Sequence, residues 1–204
     1  MMTEKQVMKA FRDTGALLEG HFELRSKLHS DRYFQCAYVL SHPRTAEKLC
    51  REVTREAVKS GKLGKRIDGV ISPAVGGILV GHEVARELGV KCIFAEKVQG
   101  SGVDATGKPN TVLALRRFSI AKGERYVVAE DVVTKGGRVQ ETIDLVKKAG
   151  GRVAGVVLLV DRSGGKAKFG RIPVFPLMRM TPKTWTAEEC PMCKAGSKPT
   201  HPGS

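Results

Sequence analysis

Tyr126-Val127-Val128-Ala129-Glu130-Asp131-Val132-Val133-Thr134-Lys135-Gly136-Gly137-Arg138-Val139-Gln140-Glu141 is the stretch on which both the fold and the chemistry turn. The apolar run Tyr126 to Ala129 reads as a buried strand, and two adjacent acids follow it. Past the glycines, Val139, Ile143, Val146 and Ala149 recur at helical spacing, and Gly150-Gly151 supply the stop. A strand thus delivers two carboxylates to its carboxyl end. A glycine-containing loop then opens into a helix whose first amides are free to hold an anion.

That juxtaposition narrows the ligand. A phosphate alone wants the loop without the acids, whereas vicinal sugar hydroxyls want carboxylate acceptors, so a phosphorylated ribose satisfies both halves. The bland alternative is an ordinary strand, turn and helix with surface acids. The stretch resembles the phosphoribosyl pyrophosphate signature of the phosphoribosyltransferases, matching it at Val127 to Thr134 and at Gly136-Gly137. The resemblance implies that Glu130 and Asp131 contact the ribose hydroxyls. It also implies that Thr134, Lys135, Gly136, Gly137 and Arg138 take the 5-phosphate.

The rest of the chain alternates in the same way. Glu4 to Asp13 reads as a short helix with Val7, Met8 and Phe11 on one face. Between Gly20 and Cys36, Phe22 and Leu24 alternate, a polar turn follows, and Tyr33-Phe34 lead into a second apolar run, which suggests a hairpin lying over the main sheet. Pro43 to Ser60 is an amphipathic helix with Ala46, Leu49, Cys50, Val53 and Ala57 inward. Ile67 to Ser72 reads as a strand, Pro73 to Gly77 as a turn and Ile78 to Leu88 as a helix ended by Gly89. Small residues at Ser72, Pro73, Ala74, Val75 and Gly76 form either a pyrophosphate cradle, which the resemblance favours, or a bare tight turn.

Val90 to Phe94 is a further short strand. From Val98 to Asn110 the chain is glycine-rich and without periodicity, which reads as a mobile loop. Within it, Gly102 to Lys108 has the spacing of a nucleoside triphosphate loop, but Pro109 replaces the required hydroxyl residue, so that reading is rejected. Val153 to Val160 is a buried strand with Asp161-Arg162 at its carboxyl end, where open α/β sheets place ligands. Ile172 to Leu177, carrying Pro173 and Pro176, is an edge strand.

The hood sharpens the family. Phe22-x-Leu24-x-Ser26, then His29-Ser30 and an aromatic pair, resembles the amino-terminal hood of the orotate phosphoribosyltransferases. By that resemblance Arg25 stands where the family has a basic residue, more commonly lysine, and Tyr33 and Phe34 flank the base; on spacing alone the two aromatics only pack the hairpin to the domain. Arg162 matches the arginine that pairs with the orotate carbonyl or carboxylate, beside Thr134, although an Asp-Arg step is also an ordinary surface ion pair. Lys97 matches the lid residue that neutralises departing pyrophosphate, with Arg116 and Arg117 as supports, so Lys97 and Asp131 are the catalytic candidates.

Composition limits the partners. With 35 Lys and Arg against 21 Asp and Glu the net charge is +14, which calls for anionic partners. Only 5% of residues are aromatic and no zinc-finger or RNA-recognition signature occurs, so nucleic acid is not expected. The amino terminus lacks a signal peptide's apolar core, and the longest apolar stretch, Val153 to Val160, falls far short of the roughly 20 residues of a membrane span. Cys36, Cys50, Cys92, Cys190 and Cys193 are odd in number and fit a reducing cytoplasm. Cys190 and Cys193 have zinc-knuckle spacing, but one pair supplies two of four ligands and no histidine motif lies near in sequence, so no metal ligand is expected; the tail reads as packed or frayed, with His201 to Ser204 disordered.

The expectation is therefore an α/β fold: a phosphoribosyltransferase-type core with a mostly parallel sheet flanked by helices, plus an amino-terminal hood. One domain is divided into a helix and hood (1–42), a core (43–180) and a tail (181–204). The resemblance implies transfer of phosphoribosyl from phosphoribosyl pyrophosphate to orotate, giving orotidine monophosphate and pyrophosphate in pyrimidine synthesis, with Mg2+ and a homodimer. A phosphoribosyltransferase for another base and a non-catalytic nucleic-acid-binding regulator on the same fold remain as alternatives.

Overall fold

The computed structural model describes residues 2–24, 26–103 and 109–202. Helix α1 (Glu4–Asp13) starts at a capping box between Thr3 and Gln6 and buries Val7 and Phe11, one turn apart. Strands β1 (Leu17–Glu23) and β2 (His29–Phe34) pair antiparallel, Leu17 opposite Phe34 and Glu23 opposite His29, as the hairpin pattern predicts. The apolar run beyond Phe34 is a short helix, α2 (Cys36–Leu40), rather than more strand. Helix α3 (Pro43–Lys59) takes proline at its first turn and buries Ala46, Leu49, Cys50, Val53 and Ala57, the face read from sequence.

The core then runs β3 (Gly69–Pro73), α4 (Gly77–Leu88), β4 (Lys91–Val103), β5 (Pro109–Ala114), β6 (Arg125–Val133), α5 (Gly137–Lys148), β7 (Arg152–Asp161) and β8 (Val174–Arg179). Six strands form one sheet in the order β5-β4-β3-β6-β7-β8, parallel except for β4 with β5. Side chains alternate across it. Val127, Ala129, Val157 and Leu159 face α3, α4 and the hood, while Tyr126, Val128, Val156 and Leu158 face α5. Burying both faces of β6 and β7 explains why those strands are almost continuously apolar.

Strand β3 is followed in the sheet by β4 on one side and β6 on the other, so the winding reverses between β3 and β6. A crevice opens outside the carboxyl ends of strands at such a reversal. The turn after β3 and the acids and loop at the end of β6 both lie there.

One expectation changes, and one open alternative is decided. The glycine-rich segment after Val98 is not loop in its described part: β4 continues to Val103 and pairs with β5, Lys97 opposite Leu113 and Gln99 opposite Thr111. Cross-strand pairing satisfies the backbone that sequence periodicity left unassigned, and Gly100 admits Val112, whose Cγ1 would lie 3.1 Å from a Cβ there. Residues 104–108, and with them most of the rejected triphosphate-loop spacing, lie outside the described residues. The tail is packed. Strand β9 (Thr184–Trp185) pairs with β2, and helix α6 (Pro191–Lys194) follows. Of the expected disorder at 201–204, residues 203 and 204 lie outside the description. Among the described residues no helix is long and apolar enough to cross a membrane.

Candidate active site

Glu130 and Asp131 lie near the carboxyl end of β6, where the continuous buried run closes at Glu130, only 7% exposed, and Asp131 is half-buried. Their carboxylates are partly satisfied locally: Glu130 Oε1 accepts from the Asp131 amide at 3.1 Å and Asp131 Oδ1 from the Val132 amide at 2.7 Å. Burial first, and then the charge of Asp131, pushes the Glu130 carboxyl up to about 9, while burial also raises Asp131. A buried and a half-buried acid side by side, both desolvated, do not readily carry charge together without partners. The pair is short of hydroxyl donors or a cation, which is what a ribose and a metal-bound diphosphate supply.

The loop after the acids wraps a cavity of ≈ 540 Å³ whose wall runs from Glu130 to Val139, with Thr111 and Glu141 closing it. Gly136 adopts φ 83° and packs so closely on Phe169 that a Cβ would meet its ring at 3.0 Å. No side chain caps α5, so its first amides point into the cavity with the helix's positive end behind them. Thr134 and Lys135 are exposed along this loop. Arg138 is half-buried and held by Glu141 at 2.7 Å and Thr111 at 3.2 Å.

A second loop covers the acids from the β3 side. Ser72 and Pro73 are buried, Ala74 is half-buried, and Val75 stands 82% exposed at the crest of the turn. A Cβ on Gly76 would stand 3.0 Å from Asp131 Oδ2, and one on Gly77 2.9 Å from Glu130 Oε1. Helix α4 also begins here without a side-chain cap. Ser72 Oγ is buried without a partner among the described residues. Two uncapped helix starts therefore flank one acid pair.

Arg162, at the end of β7, is the third arm. Its Nε is buried with no hydrogen-bond partner among the described residues, and burial lowers its affinity for the proton, with Cys36 and Tyr33 near enough to offset part of that effect. It forms no pair with its neighbour: Asp161 instead accepts from the Ser163 amide at 2.9 Å, Ser163 Oγ at 2.5 Å and the Gly165 amide at 3.1 Å, which rules out the simple ion-pair reading. A half-buried guanidinium with an unpartnered, buried Nε asks for an anionic or carbonyl ligand.

The hood residues divide. Tyr33 is half-buried, near Arg162 and tilted against Phe22 at 5.9 Å, whereas Phe34 alternates into the core and meets Phe11 edge-on at 5.9 Å. Only Tyr33 of the aromatic pair is disposed to face a ligand. Arg25 lies outside the described residues. Lys97 is exposed on the β4–β5 ribbon and does not line the cavity; Arg116 is exposed and Arg117 pairs with Glu96 at 2.6 Å. Sequence reasoning missed Cys36, which lies 4.0 Å from the Asp131 carbonyl and feels both acids and Arg162. Nothing local marks a cysteine at the start of a five-residue helix.

Comparison with known proteins agrees with this geometry. Residues 39–171 match the family model described as phosphoribosyl transferase domain, and the chain belongs to that family. Over their full length its 204 residues are similar to the proteins named orotate phosphoribosyltransferase in Heliobacterium modesticaldum, 48% identical and covering 99% of that protein, and in Chlorobium phaeobacteroides, 44% identical and covering 97%. Within the family it groups with the orotate phosphoribosyltransferases. The fold is shared with the crystal structure of orotate phosphoribosyltransferase from Aeropyrum pernix, with TM-score 0.66 and 22% identity over 85% of this chain and 93% of that one. It is shared too with adenine phosphoribosyltransferase from Saccharomyces cerevisiae, with TM-score 0.63 and 16% identity over 84% and 99%.

Proposed function

We propose that the chain transfers the 5-phosphoribosyl group from phosphoribosyl pyrophosphate to orotate, releasing pyrophosphate and forming orotidine monophosphate for pyrimidine synthesis. The observation that carries this is the adjacent pair of buried Glu130 and half-buried Asp131, set between two uncapped helix starts. One helix start is suited to each phosphate end of the donor and the acids to the ribose hydroxyls between them.

In this reading the 134–138 loop anchors the 5-phosphate and the Ser72–Gly76 turn takes the pyrophosphate. Asp131 and Glu130 hold the ribose hydroxyls and orient the anomeric carbon. Arg162, with Tyr33, Thr134 and Arg25, orients orotate so that its ring nitrogen attacks opposite the leaving group. Positive charge develops on the ribose as the bond to pyrophosphate breaks, and the buried acids face that charge. No protein nucleophile is required. Lys97, on the ribbon beside the crevice, would swing over the leaving group when the ribbon closes and exclude water.

Mg2+ fits the donor set, because hard carboxylate oxygens held together against their own repulsion suit a cation that otherwise keeps water and phosphate ligands. It would supply charge neutralisation on the diphosphate, with Glu130 and Asp131 the residues nearest to hold it. We assign the enzyme to the cytoplasm, consistent with five free cysteines, and read the 43–180 core as catalytic within a homodimer.

The test is loss of orotate absorbance on adding phosphoribosyl pyrophosphate and magnesium, with Asp131→Asn alongside. Rapid loss in the parent protein, reduced about a hundredfold or more in the variant, is expected. A folded protein silent with orotate but active with another base would overturn the substrate, and activity unchanged in Asp131→Asn would overturn the site.

A further inference from the structure

Hairpin and tail meet at four side chains that the transferase reading does not use. Glu23 lies opposite His29, so His21, two residues earlier, shares a face with His29 on the diagonal. Cys190 and Cys193 flank the first turn of α6 at i, i+3 and so project to one side. His21 Nε2 lies 2.8 Å from His29 Nδ1, 3.4 Å from Cys190 Sγ and 3.7 Å from Cys193 Sγ, and Cys193 Sγ is 3.3 Å from His29 Nδ1. All four ligand atoms fall within 4.8 Å of one another, and His21, His29 and Cys190 are buried. Two histidines some 160 residues from the Cys-x-x-Cys pair thus supply the ligands that sequence spacing left missing.

We propose that these four side chains form a structural zinc site that clamps the carboxyl-terminal tail to the hood. With Zn–S near 2.3 Å and Zn–N near 2.0–2.1 Å, tetrahedral geometry puts sulfur and nitrogen about 3.5 Å apart, and the three sulfur-to-nitrogen separations bracket that figure. Hydrogen bonding alone does not account for the cluster. His21 Nε2 has at most one lone pair, yet three neighbours converge on it, whereas one cation at their centre satisfies all four groups. The far side of His21 agrees: its Nδ1 lies 3.2 Å from Ser197 Oγ, so an N–H donated there leaves Nε2 unprotonated towards the cluster. Four protein ligands leave no open position, which makes the site structural rather than catalytic.

The tail also needs such a link. Helix α6 has four residues, none of them a buried apolar anchor, and a helix that short is not stable by itself. Around the cluster the tail is fastened to both strands of the hairpin: Trp185 pairs with His29, and the Thr200 amide donates to the His21 carbonyl at 2.8 Å. Binding would displace both thiol protons and couple the tail's folding to the metal. Strand β2 carries His29 at one end and Tyr33 four residues on, so the clamp holds the strand that faces the base.

The full chain, purified under reducing conditions without chelator, is assayed for metal by mass spectrometry, then stripped and titrated with Co2+. About one zinc per chain is expected, with the visible bands of tetrahedral cobalt and a near-ultraviolet thiolate-to-cobalt band. Cys190→Ser with Cys193→Ser should lose the charge-transfer band, Cys92→Ser should keep it, and chelation should lower the Tm of the parent by at least about 5 °C. If the double variant fails to fold, the parent's cobalt spectrum and zinc content still decide. Protein that is folded and reduced but holds neither metal, or that keeps a Cys190–Cys193 disulfide in the presence of zinc and thiol reductant, overturns the proposal.

Discussion

Gly77 packs against Glu130 so tightly that a Cβ on the glycine would stand 2.9 Å from the carboxylate Oε1 and 3.1 Å from the Ala129 carbonyl. The turn after β3 and the acids of β6 are therefore one unit, and the close approach requires a residue with no side chain. Gly77→Ala should displace the turn or the acid, lowering kcat/KM tenfold or more and stability by about 1–3 kcal/mol. Steady-state kinetics and urea denaturation check both. Parent-like values in each would mean that the turn is free to shift.

The raised proton affinity of Glu130 makes stability depend on pH. The folded carboxyl titrates at about 9 against an ordinary 4.5, so between those values the folded state binds more protons than the unfolded one. Stability of the ligand-free protein therefore falls as pH rises across that window, and Asp131, also raised by burial, adds in the same sense. Glu130→Gln should flatten the fall and be more stable than the parent at pH 8.5 by a larger margin than at pH 5. Thermal melts of both proteins across that range decide it; a constant margin would show that Glu130 is charged in the fold.

Arg162 should serve the base more than the sugar donor, because its buried Nε lacks a partner among the described residues. Arg162→Ala is expected to raise KM for orotate at least tenfold while KM for phosphoribosyl pyrophosphate changes less than threefold. Equal changes in both would remove the assignment. The variant should fold, since no ion pair of Arg162 with a described residue is broken.

Among the described residues, the β4–β5 ribbon is tied to the start of α5 through Glu141 and Arg138. Glu141 accepts from the Leu113 amide at 2.5 Å and from Arg138 at 2.7 Å, while Arg138 reaches Thr111. Lys97→Ala should lower kcat about tenfold or more with little change in KM, as expected for a group acting on the leaving pyrophosphate. Glu141→Gln should instead raise KM for the sugar donor, because it frees Arg138 without touching Lys97. Pre-steady-state and steady-state rates separate the two, and a KM effect alone in Lys97→Ala would move the lid role to another residue.

Much of the fold was legible locally. Helices α1 and α3, the buried strands β6 and β7 and the edge position of β8 follow from periodicity and proline placement, since each writes its burial into neighbouring residues. The 130–138 site was legible for the same reason, being contiguous. The ribbon was not, because its register is set by cross-strand pairs such as Lys97 with Leu113 that no local period announces, and its glycines carry no apolar period. The resemblance implies a ligand-facing ring at Phe34, whereas spacing alone favours packing, and strand alternation against Phe11 places it in the core.

The sequence by itself determined the parallel α/β plan, the acid pair beside an anion loop, and the family to which these belong. Each depends on residues adjacent along the chain, where periodicity and motif spacing act. Tertiary structure alone decided that Gly76 and Gly77 seat on the acids, that Cys36 and Tyr33 meet Arg162, and that His21 and His29 join Cys190 and Cys193. Those groups lie far apart along the chain, and only the pairing of β3 with β6, the register of the hairpin and the return of the tail bring their atoms within reach of one another.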